Sequence, residues 1–552
     1  MKFIPLFIIL FFTELLDAHS QTFSEILGRP GPTSVTMNIL FDTAVNVYWE
    51  YGTSLGNYPQ STPTENAQKN TPLEVQFTGL LADKKYYYRT RYHISGGGGT
   101  FQASPEHNFH TARPKGSQFT FAIEADPHLD TNTIPGAYSL TLQNILAKNP
   151  DFMIDLGDNF MSEKLPQKNQ ANITARHVLY RPYFGSVCHS VPLYIVLGNH
   201  EGETGWQMTG GSGSLAVMAS NTRKLYYSNP LPDGFYSGDS IPEQYVGLRG
   251  NYYSWEWGDA LFIVLDPYWY TVTHSDWGWT LGEDQYNWFK KVITGSKAKL
   301  KFVFCHQLVG GHGTDGRGGS EFAGFFENGG ENADSTWGFE TKRPGWGKSV
   351  HQLMTENRGT IFFHGHDHCY AKQDKDGIVY QEVPQPGAKS ITNFTGTQYG
   401  YVNGQLLPSR GYLLVTVTDS SAKVDYIRSF LTNEETGGHQ NGEVAASYTI
   451  LSAPSSVENK NSGEIGFLMN YPNPFSSETT IEYQVNSGGR TTLKIYDIFG
   501  REVSTLVDRM EQPGKYSVTF HPEKSSFPVG IYLCRIQYGM QSKVIKIFKT
   551  NE

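Results

Sequence analysis

Phe152-Met153-Ile154-Asp155-Leu156-Gly157-Asp158-Asn159 decides how this chain reads: an apolar run of strand length stops at a glycine, and an acid and an amide follow at once. The same grammar recurs four more times. Phe119–Ala125 runs into Asp126-Pro127-His128, and Pro192–Leu197 into Gly198-Asn199-His200-Glu201. Leu300–Cys305 runs into His306, and Thr360–His364 into Gly365-His366-Asp367-His368. Helical patterns near Tyr138–Leu146, Asp284–Ile293 and Lys348–Glu356 separate some of these runs. That alternation predicts an α/β domain with buried parallel strands. In such a sheet, ligands gather in the crevice beyond the carboxyl ends of the strands, so the polar residues after the five runs should converge.

Each piece alone is weak. Gly-Asp-Asn is a common loop, Asp-x-His fits a turn, and Asn-His-Glu could cap a helix. His-x-His at a strand end is stronger, because alternate residues face one side. All five together, each after a strand, point to bound metal. Imidazole and carboxylate without thiolate suit Fe, Zn or Mn, or a mixed pair, better than a soft copper site. One carboxylate between two cations can bridge them and offset their repulsion.

Outward from this block, the chain has 552 residues with 44 Lys+Arg against 53 Asp+Glu, room for about three domains. The mild acidity carries no block of one sign, which argues against specific nucleic-acid binding. Four cysteines (Cys188, Cys305, Cys369, Cys534) make no disulfide framework and no C-x-x-C pair. Cys305 and Cys369, beside the proposed ligands, read as small buried hydrophobes. Lys2, the apolar run Phe3–Phe12 and Ala18-His19-Ser20 read as a signal peptide over residues 1–20. No other stretch is long and apolar enough for a membrane anchor, so the mature chain is expected to lack one.

Residues 21–112 alternate as half-buried strands, and Leu80 followed by Tyr86 is reminiscent of a tyrosine corner. This segment resembles a fibronectin type III sandwich. The α/β domain spans 113–451, a Ser/Asn/Glu-rich linker 452–465, and a last all-β module 466–552. Asp374-Lys375-Asp376-Gly377 begins like a calcium loop but lacks the remaining spacing, and is read as a hairpin turn. Gly310–Gly330 has no P-loop signature and is expected to form a rim of the cleft, with aromatic residues such as Trp206 and Trp337.

The set Asp126-x-His128, Gly157-Asp158-Asn159, Gly198-Asn199-His200-Glu201, His306 and Gly365-His366-x-His368 resembles the calcineurin-like metallophosphoesterases. The resemblance implies a β-sheet sandwich flanked by helices, holding two divalent or mixed-valence ions. By motif, Asp126, His128, Asp158 and His368 would hold one metal, and Asp158, Asn199, His306 and His366 the other. Asp158 would be the bridge, and Asn199 and His200 would face the substrate, with His200 assisting the leaving group. The implied reaction is hydrolysis of phosphate monoesters by in-line attack of a metal-bound hydroxide. A phosphodiesterase or nucleotidase on the same site is the alternative, and a non-catalytic surface binding protein or adhesin is the alternative of another class.

An N-terminal sandwich before such a domain resembles the purple acid phosphatases. In that group a tyrosine three residues after the bridging aspartate binds ferric iron. Here the position is Met161, while His128 supplies a ligand where that group has none, so ferric-tyrosinate colour is not expected. Asn470-Tyr471-Pro472-Asn473-Pro474-Phe475, Ile495-Tyr496-Asp497, Gly530-Ile531-Tyr532 and the basic finish through Lys546 and Lys549 are similar to the type A sorting domain of type IX secretion in Bacteroidetes-type bacteria. That resemblance implies the secretion machinery as a partner, and a secreted or cell-surface destination.

Overall fold

The computed structural model describes residues 23–452 and 465–551, apart from positions 98, 131, 487, 499, 523–526 and 539–540. The expected signal peptide (1–20) and nearly all of the expected linker (452–465) lie outside the described residues. The chain divides into two units, Met1–Ala453 and Pro454–Glu552.

In the first unit two large sheets face each other. Phe119–Glu124, Phe152–Asp155 and Leu193–Ile195 run parallel at the heart of one sheet. Ala260–Val264, Leu300–Phe304, Ile361–His364 and Ile378–Glu382 run parallel in the other. Every strand expected to carry a ligand is therefore parallel to its ligand-bearing neighbours. Antiparallel strands extend both sheets. Asp376 and Gly377, both at positive φ, turn the hairpin between Tyr370–Lys375 and Ile378–Glu382, as their sequence predicts.

Because strand side chains alternate, each sheet has an inner and an outer face. Phe121, Phe152, Trp255, Phe262, Phe302 and Phe304 interlock as one aromatic core between the sheets. On the outer faces, helices Pro135–Lys148 and Gln170–Cys188 pack against Ala122 and Met153. Helices Glu283–Gly295 and Val350–Glu356 pack against Ile263, Val303 and Phe362. The ligand-bearing strand ends are thus held between two helical layers.

The N-terminal segment folds as β-strands around Trp49, Phe77, Tyr88 and Phe109. Its tyrosine corner is present: the Tyr86 hydroxyl accepts a hydrogen bond from the Leu81 N–H at 2.9 Å. One sheet runs straight across residue 112, because Phe23–Gly28 pairs parallel with Leu193–Ile195 through Gly28 and Leu193. Arg181, wholly buried, fastens this junction by donating to the Ser24, Asn38 and Tyr226 carbonyls at 2.6–2.9 Å. Strand patterning shows where strands are but not which edges meet, so this continuity has no local signal.

The second unit is an antiparallel sandwich of a three-stranded and a four-stranded sheet, closed over Phe475, Ile481, Leu493, Ile495, Cys534 and Ile547. Asn473 ties the Asn-Pro turn to the last strand: its side chain donates to the Lys546 carbonyl and accepts from the Phe548 N–H. All four cysteines are buried and unpaired. Among the described residues, no helix is long and apolar enough to cross a membrane.

Candidate metal centre

The five strand ends converge. Asp126, His128 and His368 form one cluster, and Asp158, His306 and His366 a second, the potential ligand atoms of each lying within 4.8 Å of one another. In the first, His368 Nε2 lies 3.1 Å from His128 Nε2 and 3.4 Å from Asp126 Oδ1. In the second, Asp158 Oδ2 lies 3.3 Å from His306 Nε2, and it also lies 3.4 Å from His128 Nε2 in the first. Ligands roughly 2.0–2.2 Å from a common ion stand about 3–3.5 Å apart, so these spacings fit cation binding. Asp158 is placed to touch both clusters.

The donor atoms pass a stricter test. Asp126 Oδ1, Asn199 Oδ1, His306 Nε2 and His366 Nδ1 are buried with no hydrogen-bond partner. Leaving such atoms unsatisfied is costly unless something else receives their lone pairs. The opposite ring nitrogens are committed: His306 Nδ1–H donates to the Leu156 carbonyl at 2.7 Å, and His366 Nε2–H to the Asp315 carbonyl at 2.8 Å. That fixes both tautomers with a free lone pair turned inward, as metal-ligating histidines require.

Charge tells the same story. Burial opposes ionisation of Asp158 and Asp126, yet neighbouring imidazoles, His306 foremost, hold both carboxyls well below the usual range. Burial likewise works against His306, but Asp158 and Asp126 push it up to about 9, so these acids draw a positive charge to Nε2, a proton wherever a metal cation does not take its place. The pocket is built for positive charge.

The backbone is bent to reach this arrangement. Asp126, His128, Asp158, His366 and His368 all have φ between 42° and 81°, the left-handed region that side chains avoid. Each such residue costs about 1–3 kcal/mol, sustained only where the surroundings over-determine it. The motif glycines allow the crowding. A Cβ on Gly198 would lie 2.3 Å from Asp158 Oδ1, and one on Gly365 would lie 2.7 Å from Asp126 Oδ2.

Asn199 belongs to neither three-residue cluster, but its buried, unpartnered amide oxygen leaves it available as a further donor. His200 stands apart from the expected ligands. Its Nδ1 meets Glu163 Oε1 at 2.5 Å, and its Nε2 lies 3.9 Å from Asp158 Oδ2. Glu163 escapes a sequence reading because nothing in Met161-Ser162-Glu163-Lys164 marks it. Met161 is buried, in the loop that follows Asp158.

Two further acids organise the loops. Glu201 accepts the Gly198 and Asn159 N–H groups at 2.6 Å and the Asp158 N–H at 3.1 Å, binding the Asp158 loop to the Asn199 loop. Asp367, between the two histidines, accepts from Arg317, the Gly318 N–H and the Tyr401 hydroxyl. The Gly-rich segment thereby does form part of the rim. Trp206 packs beside Tyr268 and Trp279, while Trp337 is half exposed.

Residues 119–370 match the family described as calcineurin-like phosphoesterase, and this span holds every residue of both clusters. Residues 470–550 match the secretion system C-terminal sorting domain. No curated protein sequence matches the chain. Among solved structures, PhoD is similar at 16% identity and a TM-score of 0.56, over 78% of this chain and 90% of that one. The purple acid phosphatase PPD1 from yellow lupin (Lupinus luteus) seeds is similar at 14% identity and a TM-score of 0.51, over 77% and 74%. At these identities the two structures show a shared fold. The chain carries a calcineurin-like metallophosphoesterase domain, the domain of a metal-dependent phosphoric ester hydrolase, and a sorting domain that marks it for export by type IX secretion.

Proposed function

We propose that this chain is an exported phosphoesterase whose centre takes two cations and releases phosphate from monoesters. The observation that carries the reading is the pair of His/Asp clusters within reach of one carboxylate, Asp158, with unpartnered lone pairs turned inward. Asp126, His128, Asp158 and His368 would hold one ion; Asp158, Asn199, His306 and His366 would hold the other. When bound, such a pair supplies positive charge against the phosphoryl oxygens and a water-derived nucleophile near neutral pH. Fe, Zn and Mn suit the imidazole and carboxylate donors.

The remaining work falls to the chain. His200, beside Asp158 yet bonded to Glu163, is placed to give a proton to the departing alkoxide oxygen. Glu163 orients the ring: its carboxylate accepts Nδ1–H, and in the doubly protonated ring the Nε2–H that faces the cleft is the proton given to the leaving oxygen, after which Nε2 keeps a lone pair. Asn199, next to His200, contributes to holding the phosphoryl group.

Elemental analysis together with hydrolysis of nitrophenyl phosphate and of its bis-ester tests this reading. Two metals per chain and faster monoester cleavage are expected. Faster bis-ester cleavage would make the protein a diesterase. Full metal content with no turnover on either would leave a binding protein.

A further inference from the structure

Above the two clusters lies a cavity of about 400 Å³, with His128, Asp158, His200 and His368 on its floor. Its rim is cationic although the chain is acidic overall, at −9. Lys164, Arg317 and Lys389 line it, and the one carboxylate among the lining residues is Asp158, on the floor. Neither lysine forms an ion pair among the described residues, although Asp130 stands near Lys164 and Asp315 near Arg317.

Arg317 is held rigidly. Its Nη1 donates to the His366 carbonyl at 2.6 Å and to Asp367 at 3.0 Å, and its guanidinium lies 4.4 Å over the Tyr399 ring. Its Nε and Nη2 make no hydrogen bond among the described residues. A planar guanidinium braced from behind, with donors to spare, is suited to a phosphate. The neutral wall is mostly polar, with Asn132, Gln385, Ser390, Asn393, Thr395 and Ser409, and suits a hydroxyl-bearing substrate body. Ala388 is the one aliphatic lining residue, which leaves little surface for an acyl chain, and Arg317 covers one face of Tyr399.

Resting on the reading of this centre as a phosphoesterase, we propose that its substrate is a polyol or sugar bearing two or more phosphates. One phosphate lies over the metal clusters while Arg317, Lys164 and Lys389 receive another. A cavity of this size suits a sugar-sized body.

The test compares myo-inositol 1-phosphate with myo-inositol 1,4-bisphosphate, whose leaving groups are alike, on the full metal-loaded chain. kcat/KM is expected to be at least about tenfold higher for the bisphosphate, the effect of one charge-assisted hydrogen bond, and to reside in KM. In the double variant Lys164→Met/Lys389→Met the ratio should collapse towards the statistical value of about two, and Lys164→Arg/Lys389→Arg should restore it. Equal values in the unmutated chain, or a ratio that survives the double substitution, would overturn the proposal. If the chain hydrolyses neither inositol phosphate nor nitrophenyl phosphate, the phosphoesterase reading is what fails. Calorimetric binding of the same two compounds then reads the rim without turnover: tighter binding of the bisphosphate by about tenfold supports it, and equal binding refutes it.

Discussion

The floor of the cleft hangs from strand ends, whereas its rim is carried by three connections: one contains Lys164, another Arg317, and the third Lys389 and Tyr399. On the floor, five residues keep left-handed backbone because sheet register and buried acids leave them no alternative. On the rim, position depends on contacts between loops, such as Arg317 against Tyr399 and Gly318 against Asp367. The first arrangement fixes the chemistry, and the second meets it at one ligand, His366, whose Nε2–H the Asp315 carbonyl accepts and whose own carbonyl Arg317 holds.

The largest effect should come from the floor. Asp158→Ala removes the carboxylate that comes nearest to both clusters, and hydrolysis should fall below detection with less than two metals retained. Two full-occupancy metals in an active variant would sink the assignment. Next comes the proton donor. His200→Ala should keep its metals and lose about 10²–10⁴ in rate on alkyl phosphates, with a smaller loss on nitrophenyl phosphate. Glu163→Gln should show the same leaving-group pattern in weaker form. Equal losses on both substrates would mean that His200 is merely structural.

Glu201→Gln tests how far the floor depends on its supports. Loss of one of the two carboxylate oxygens that accept four N–H groups should weaken metal binding by about 10–100-fold, measured by titration with a competing chelator. A rim change should do less. In Gly311→Ala the new Cβ would lie 2.1 Å from the Gly316 carbonyl, so the segment carrying Arg317 must shift. About 1–3 kcal/mol of stability should be lost by thermal denaturation, and metal affinity should fall less than in Glu201→Gln, because the moved segment supports one ligand, His366. A metal loss as large as that of Glu201→Gln would show that rim and floor are not separable. The smallest effect is expected from ending the chain after Ala453, where the contact pattern divides it: kcat and KM on nitrophenyl phosphate should be unchanged.

The floor was largely legible in the sequence because its signal is local. A strand, a glycine and a donor sit within a few residues of each other, and parallel topology does the rest. Asp126, His128, Asp158, His306, His366 and His368 all stand out this way, and the structure brings their donor atoms together. Glu163 and Arg317 were not found, since each matters through one partner far along the chain: Glu163 through His200, and Arg317 through Asp367. The left-handed backbone at non-glycine ligands also left no mark, because residue type does not report a φ that tertiary contacts impose. The type of the flanking modules was readable from alternation, but not the edge at which Phe23–Gly28 joins Leu193–Ile195.

That shared edge has a bearing on descent. A recombination event at residue 112 would cut through a continuous sheet and strip Arg181 of the Ser24 and Asn38 carbonyls it binds, whereas one near Ala453 falls where the contact pattern already divides. The sorting module can be inherited, lost or traded as a cassette. The N-terminal strands can change only in step with the catalytic sheet they complete, and the two segments are expected to share one evolutionary history.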